Sequence, residues 1–158
     1  MTRMPRGLAG GSPWFADFGI DLSRGFRALK IWFTIKEHGA KRLAAAIERN
    51  CEQAHYLANL IEVGGSFQII APVALNVVCF RPRLPLDDAT VDRITDRVVG
   101  AVQESGEAVI SSTTIEGRRA MRVCIVNHRS TESDFDVLLT VLERITGEIA
   151  AEMVETAP

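Results

Sequence analysis

The sequence predicts an α+β fold in which helices pack against one antiparallel sheet. Four segments have the apolar spacing of amphipathic helices, and four shorter segments have the composition of strands. The strand segments come in two pairs, each joined by a short connection that contains turn-forming residues. Because short connections join antiparallel neighbours, we expect a four-stranded antiparallel sheet with helices mainly on one face, preceded by a long helix. The predicted order is α-α-β-β-α-β-β-α.

Length and composition describe an ordinary globular domain with one core. The 158 residues are 47% hydrophobic and 24% charged, with a formal net charge of −2. Near-neutral charge argues against a general nucleic-acid binder. No run of about 18 apolar residues predicts a membrane span, and no apolar leader predicts secretion. The three widely spaced cysteines, Cys51, Cys79 and Cys124, are expected to be reduced structural residues of a cytoplasmic protein.

The chain opens with residues 1–20, a stretch rich in glycine and proline that has loop composition. It contains three aromatic residues, Trp14, Phe15 and Phe18. A free tail has no use for them, so we expect them to dock on other groups, another chain among the options.

The first helix is predicted from about Leu22 to His38, and Gly39 ends it. Asp21 or Ser23 can cap its start by accepting a backbone hydrogen bond. Its apolar positions cover more of the circumference than one neighbouring layer needs: Leu22, Phe26, Ala28, Leu29, Ile31, Trp32, Phe33 and Ile35. We therefore expect this helix to be buried on most sides.

Three cations, Arg24, Arg27 and Lys30, fall in the first turns of this helix. The backbone dipole is positive at a helix N-terminus, so cations there are mildly unfavourable. We therefore expect an anion close to the start of the helix.

The second helix is predicted over residues 40–62, and Gly64-Gly65 ends it. Its apolar stripe consists of Leu43, Ile47, Ala54, Leu57, Ala58 and Ile61. Strands are predicted at residues 67–71 and 75–80. The second of these strands is apolar on both faces, so we expect both faces to be covered.

The third helix is predicted to begin near Asp87 or Asp88 and to end at Gly106. Strands follow at residues 108–114 and 119–126, with a Glu-Gly turn between them. The last helix is predicted to start at Thr131, with Asp134 as its capping partner. Its core face consists of Phe135, Leu138, Leu142, Ile145 and Ile149.

The last strand carries the side chain that is hardest to explain by structure alone. Residues 121–126 alternate, which places Arg122 on one face among apolar neighbours. A guanidinium there is costly unless an anion pairs with it, and the functional interpretation is bidentate binding of a carboxylate. A structural ion pair or an edge-strand charge would explain the same residue. The neighbouring Arg118, Arg119 and Arg129 are expected to be solvated turn residues.

Other catalytic patterns are not found in the sequence. The histidines His38, His55 and His128 lack metal-ligand spacing to a second ligand. No serine or cysteine lies in a nucleophile motif, and there is no phosphate loop or dinucleotide fingerprint.

Four segments together resemble one enzyme family. Residues 6–15, 21–32, 75–81 and 121–127, above all the block Ser-Arg-Gly-Phe-Arg-Ala-Leu-Lys-Ile-Trp, are similar to the C-terminal part of the group II pyridoxal-phosphate-dependent amino-acid decarboxylases. The family includes aromatic-L-amino-acid, glutamate and diaminobutyrate decarboxylases. The resemblance extends over nearly the whole chain, in order.

The resemblance implies a fold-type I, aspartate-aminotransferase-like enzyme that acts as a homodimer. Residues 41–158 would be its C-terminal α+β small domain, 21–40 a long connecting helix, and 1–20 the remnant of an active-site loop. The large domain, with the lysine that bears pyridoxal phosphate, is not recognisable in this chain. Because none of the lysines Lys30, Lys36 and Lys41 fits that motif, we expect the chain alone to be inactive.

The resemblance also implies roles for three residues. Leu22 and Ser23 match the segment that approaches the cofactor phosphate of the neighbouring subunit, in agreement with the anion expected there. Arg122 matches the strand arginine that meets the substrate carboxylate in glutamate decarboxylases. The substrate stays open among aromatic, acidic and basic amino acids, because the large domain lines most of that pocket.

A second class of function remains open. The chain would then be a stand-alone α+β binding or dimerisation module that performs no catalysis. A nucleic-acid-binding sheet is disfavoured because the strands lack exposed aromatic residues that stack on bases.

Overall fold

The helices and strands follow one another in the predicted order along residues 25–155, the part of the chain that the computed structural model describes. The elements are α1 (Arg27–His38), α2 (Ala40–Gly64), β1 (Phe67–Ile69), β2 (Val77–Pro82), α3 (Asp88–Ser105), β3 (Ser111–Ile115), β4 (Arg118–Cys124) and α4 (Glu132–Glu155). The chain divides into two compact units between Ala40 and Lys41. Each unit is therefore described by itself.

Helix α1 begins later than the sequence predicts. Gly25 and Phe26 are not helical, and Phe26 precedes the first turn without a side-chain cap. The predicted start at Leu22 is therefore wrong, and the predicted caps Asp21 and Ser23 lie outside the described residues. Glycine disfavours helix by about 1 kcal/mol relative to alanine, which opposes extension of α1 through Gly25.

The C-terminal end of α1 is as predicted, and its apolar side chains are exposed. Gly39 adopts φ +75°, and its N–H donates to Ile35 at 2.8 Å. No residue of α1 is buried. Trp32 and Phe33 pack edge to face with ring centres 5.0 Å apart and remain about half exposed, at 53% and 57%.

The second unit contains one antiparallel sheet in the strand order β1-β2-β4-β3. One face of the sheet contributes Val78, Phe80, Met121 and Val123 to the core. Buried residues of α2, α3 and α4 pack in the same core, so the helices cover this one face as predicted. The five predicted core residues of α4, from Phe135 to Ile149, are all buried.

Local signals fix the ends of the helices in this unit. Asp87 caps α3 by accepting a hydrogen bond from the Thr90 N–H at 3.0 Å, and Gly106 ends it in the left-handed conformation. Before α4, the Thr131 N–H donates to the Asp134 carboxylate at 2.8 Å. These caps confirm the predictions. They could be predicted because each depends only on residues that are close together in sequence.

The strand boundaries differ from the prediction at several ends. Leu75 adopts φ +54° in a turn closed by a hydrogen bond from Val77 N–H to Ala74, so β2 starts at Val77 and extends to Pro82. Strand β3 starts at Ser111, three residues later than predicted. A continuous apolar run does not mark where a strand starts, because the spacing of its apolar residues does not change at the boundary.

Candidate functional site

The sheet face away from the helices is open along β4. Arg122 and Cys124 are exposed, whereas Met121 and Val123, which alternate with them, are buried. Val126 continues the exposed series after the strand, with 75% of its surface accessible. The predicted alternation is therefore confirmed, and Arg122 lies on the face that α2, α3 and α4 leave uncovered.

Neither structural explanation for Arg122 applies within residues 25–155. Strand β4 is central, between β2 and β3, so Arg122 is not an edge-strand charge. No described carboxylate lies within ion-pair distance of its guanidinium, while five other arginines of this region have such a partner: Arg81, Arg97, Arg118, Arg119 and Arg144. Arg122 therefore presents an unneutralised positive charge on the open face.

Ser111 is the described side chain that bonds to this guanidinium. Arg122 Nε donates to Ser111 Oγ at 3.1 Å, and Ser111 Oγ donates to the Arg122 carbonyl oxygen at 3.2 Å. The two residues are direct cross-strand partners in the β3–β4 ladder. This pair was not predictable, because strand register is not visible in the sequence.

Two thiols flank Arg122 on the same face. Cys79 lies directly opposite Arg122 in the β2–β4 ladder, and Cys124 is opposite Val77. Burial raises the pKa of the Cys79 thiol, although the positive charge of Arg122 acts in the opposite direction. Cys79 therefore stays protonated at neutral pH. All three cysteines are free, and Cys124 is exposed whereas Cys51 and Cys79 are partly buried.

A buried arginine joins β2 to α3 at the end of the sheet. Arg81 is only 1% exposed and donates to Asp88 at 2.7 Å and to Asp92 at 2.9 Å. Asp92 Oδ1 also accepts from the backbone N–H of Arg119 at 2.9 Å. These bonds fix the start of β4, the strand that carries Arg122.

The expectation that Arg119 is a solvated turn residue is wrong. Its guanidinium donates to Asp96 on α3, with an Nε–Oδ1 distance of 2.9 Å, and to Ser112 at 2.7 Å. These hydrogen bonds to Asp96 raise the pKa of Arg119. Arg118 lies 3.8 Å from Glu116 at the turn, and Arg129 is exposed in the loop after β4.

The predicted phosphate contacts, Leu22 and Ser23, lie outside the described residues. The described start of α1 is compatible with an anion: no acidic residue lies in its first turn, and Phe26 provides no side-chain cap. Arg27 and Lys30 supply positive charge in the same turns. This part of the chain therefore fits a phosphate group in charge, whereas the Arg27 and Leu29 N–H groups already donate within the chain, to Gly25 at 2.8 Å and to Phe26 at 3.1 Å.

Other site types receive no support from the described residues. Across residues 25–155, no three His, Cys, Asp or Glu side chains cluster as metal ligands. In the same region, no helix has the length and hydropathy needed to cross a membrane. An open groove of about 500 Å³ lies at the C-terminal end of β4, where Val109, Val126 and Val137 are exposed on its walls. Arg122 does not line it.

Comparisons with known proteins identify the fold and the proteins that the chain resembles. The pyridoxal-dependent decarboxylase conserved domain matches residues 7–83. An aromatic-L-amino-acid decarboxylase of Bacillus atrophaeus is 26% identical over 86% of this chain and 29% of its own length. Tyrosine decarboxylase 4 of Petroselinum crispum is 32% identical over 73% of this chain and 25% of its own length.

The similar solved structures include the glutamate decarboxylase domain of a diaminobutyrate-pyruvate transaminase and L-2,4-diaminobutyrate decarboxylase from Vibrio parahaemolyticus. It superposes with a TM-score of 0.70 at 27% identity, over 77% of this chain and 26% of that one. The fold is thus an α+β part of the fold-type I pyridoxal-phosphate enzymes. The chain therefore resembles the C-terminal part of the group II pyridoxal-phosphate-dependent amino-acid decarboxylases, as its sequence predicts, and it spans less than a third of the relatives named above.

Proposed function

We propose that this chain works as part of a pyridoxal-phosphate-dependent amino-acid decarboxylase, a carboxy-lyase, and that it is catalytically incomplete by itself. Its lysines, Lys30, Lys36 and Lys41, are all exposed on helices. In this proposal none of them bears the cofactor, and the cofactor-bearing lysine belongs to a large domain outside these 158 residues. Residues 41–158 act as the small domain, and 21–40 as the connecting helix after the active-site loop remnant at 1–20.

The observation that carries the proposal is the unpaired guanidinium of Arg122 on the open face of a decarboxylase-like sheet. If a large domain covers this face in the complete enzyme, the guanidinium needs an anionic partner there, because desolvation without one is costly. The carboxylate of an amino-acid substrate supplies such a partner and matches the planar fork of arginine. Arg122 would therefore bind and orient the substrate.

The cofactor contact is proposed at the start of the connecting helix. Leu22 and Ser23 would approach the phosphate of the neighbouring subunit's pyridoxal phosphate, and the cationic first turns of α1 would complement its charge. Bound pyridoxal phosphate supplies the electron sink that decarboxylation requires. The chain's own contribution is to hold the phosphate and to orient the substrate carboxylate.

The proposed partners follow from the same assignment. The working unit is a homodimer with an amino acid as its substrate, and neither nucleic acid nor a membrane is a partner. The exposed apolar surface of α1 supports contact with a second chain or with the large domain. The enzyme is proposed to be located in the cytoplasm.

The test is replacement of Arg122 in the complete decarboxylase. We expect Arg122→Ala to raise KM for the amino acid roughly 30-fold, since a hydrogen bond to a charged group contributes about 2 kcal/mol. Arg122→Lys should recover part of the loss, because it keeps the charge but not the fork. Arg118→Ala is the matched control, a substitution on the same strand and face. Unchanged KM and kcat in Arg122→Ala would refute the assignment.

The alternative is a stand-alone α+β binding or dimerisation module. The exposed α1 surface and open sheet face support it equally well, because both fit any protein partner. The DNA immediately upstream of the Met1 codon separates the two. An in-frame region encoding the lysine domain favours the decarboxylase, whereas a promoter and ribosome-binding site directly before Met1 favour the module.

A further inference from the structure

Ser111 shares two hydrogen bonds with Arg122, which leave one edge of the guanidinium available. We infer that Ser111 is a positioning residue that fixes Arg122 so that it meets a carboxylate end-on, through its two terminal amino groups. This inference rests on the proposed role of Arg122 as the substrate-carboxylate contact. Beyond that role, we infer which edge of the guanidinium binds the carboxylate and which side chain selects that edge.

The N–H donors of arginine allow two ways of binding a carboxylate. A guanidinium can face a carboxylate side-on, with Nε–H and one terminal amino group, or end-on, with both terminal amino groups. Arg122 Nε–H is already donated to Ser111 Oγ at 3.1 Å, so the side-on edge lacks one of its two donors. Neither terminal amino group of Arg122 has a hydrogen-bond or ion-pair partner among residues 25–155. The end-on edge is therefore the available one.

The hydroxyl of Ser111 is itself oriented by the sheet. It donates its proton to the Arg122 carbonyl oxygen at 3.2 Å, which turns an oxygen lone pair toward Arg122 Nε. Ser111 and Arg122 are paired directly across the β3–β4 ladder, and Ser111 is partly buried. One hydroxyl thus connects the arginine side chain to its own backbone through a fixed neighbour.

The adjacent Ser112 also bonds to an arginine, but that arginine has a carboxylate partner. Ser112 Oγ also accepts from an arginine, Arg119 Nη2 at 2.7 Å, but Arg119 is neutralised by Asp96. Both serines lie on β3 and are partly buried. Ser112 therefore supports a structural ion pair, whereas Ser111 supports an arginine with no described counter-ion. This makes Ser112 a matched control for Ser111.

The test measures the Arg122 side chain in the 158-residue chain by nitrogen-15 NMR, with Arg122→Lys used to assign its Nε–H signal. We expect Ser111→Ala to speed exchange of that proton with water about five- to tenfold, because the variant loses one hydrogen bond to the Nε–H group. Ser111→Thr, which keeps the hydroxyl, should remain close to the unmodified chain, and Ser112→Ala should leave Arg122 unchanged. Equal exchange in Ser111→Ala and the unmodified chain overturns the positioning role. Equal acceleration in Ser112→Ala also overturns it, by indicating general loosening of β3.

Titration with propionate then tests the binding edge. End-on binding shifts the terminal amino resonances of Arg122 while the Nε proton still exchanges slowly. Side-on binding would release Nε from Ser111 and raise its exchange to the level of Ser111→Ala, which overturns the inference. No response of any Arg122 resonance to propionate contradicts the proposed carboxylate contact instead, and the exchange rates still decide whether Ser111 positions Arg122.

Discussion

Asp92 accepts hydrogen bonds from two different parts of the sheet. Its Oδ1 atom lies 2.9 Å from Arg81 Nη2 and 2.9 Å from the backbone nitrogen of Arg119. Strand β2 ends at Pro82, so the carboxylate satisfies a backbone donor of β4 just beyond the last β2–β4 pair, at Phe80 and Met121. Arg81 is almost fully buried, and a buried charge left without a partner is strongly destabilising. Asp92 therefore couples α3 to both strands.

We expect Asp92→Ala to lower the free energy of unfolding by about 2–3 kcal/mol, because it removes one partner of a buried guanidinium and exposes an unsatisfied backbone donor. Urea denaturation followed by circular dichroism measures this. Asp88→Ala is the matched control: Asp88 contacts the same arginine but is 76% exposed, so it should cost about 1 kcal/mol or less. A loss in Asp92→Ala no larger than that in Asp88→Ala would contradict this account.

The face of β4 on which Arg122 lies was predictable, because period-two alternation is read directly from residues 121–126. The exposure of Arg122 was not predictable, since its neighbours on that face are apolar. Ser111 and Asp92 were not predictable either, because one depends on strand register and the other on where α3 crosses the end of β2. The buried state of Arg81 was missed for the same reason, since its partners do not follow a periodic pattern.

The elements are stabilised at their ends by short-range signals. Asp87 accepts from Thr90 at both carboxylate oxygens, from the backbone N–H at 3.0 Å and from the side-chain hydroxyl at 2.7 Å. These bonds lower the pKa of Asp87 below its ordinary value of 3.8. A carboxyl group with a lowered pKa stabilises the fold at pH values above its pKa in the unfolded chain. That stabilisation is lost as the pH falls through the lower, folded pKa.

We expect Asp87→Ala to lower Tm at pH 7, because α3 loses its N-cap, and we expect the deficit to narrow below pH 3.8 as Asp87 becomes protonated in the unmodified chain. Thermal unfolding at pH 7, 5 and 3 measures the difference. Asp87→Asn is the control, since the amide oxygen still accepts a hydrogen bond but does not titrate. A deficit for Asp87→Ala that is constant across these pH values would rule out the carboxylate as its source.

Helix ends were predicted more accurately than strand ends for a physical reason. Gly39, Gly65 and Gly106 adopt positive φ at or just after three helix ends, and glycine adopts that conformation without steric cost. The start of α1 is the exception, because the apolar spacing continues through Gly25 and obscured the break. Strand ends depend on pairing with distant residues, so the turn at Leu75 was not visible in an apolar run.

At the scale of the whole molecule, each of the two units exposes large apolar side chains. Phe26, Ile31, Trp32, Phe33 and Ile35 are all between 47% and 73% exposed. In the other unit, Val126 on the open sheet face is 75% exposed. The sequence predicted a first helix that is buried on most sides, whereas no residue of α1 is buried in the part of the chain that the structure describes. What covers it was not predictable, because a sequence shows which residues need burial but not the identity of the partner.

We expect the 158-residue chain to self-associate reversibly at micromolar concentration, because exposed apolar patches of this kind are stabilised by contact with other protein surface. Trp32→Glu should shift the chain toward monomer and reduce binding of a hydrophobic dye, as seen by sedimentation velocity and fluorescence across a dilution series.

Thr34→Glu is the matched control, because it adds the same charge to α1. Two residues along a helix lie about 200° apart, so position 34 falls on the opposite, polar side of α1. If association requires the apolar side, only Trp32→Glu weakens it; equal weakening by both variants would indicate charge repulsion instead. A monomer that persists at all dilutions and leaves the dye dark would show that α1 needs no partner, and would remove the support that its exposed surface lends to a dimeric enzyme.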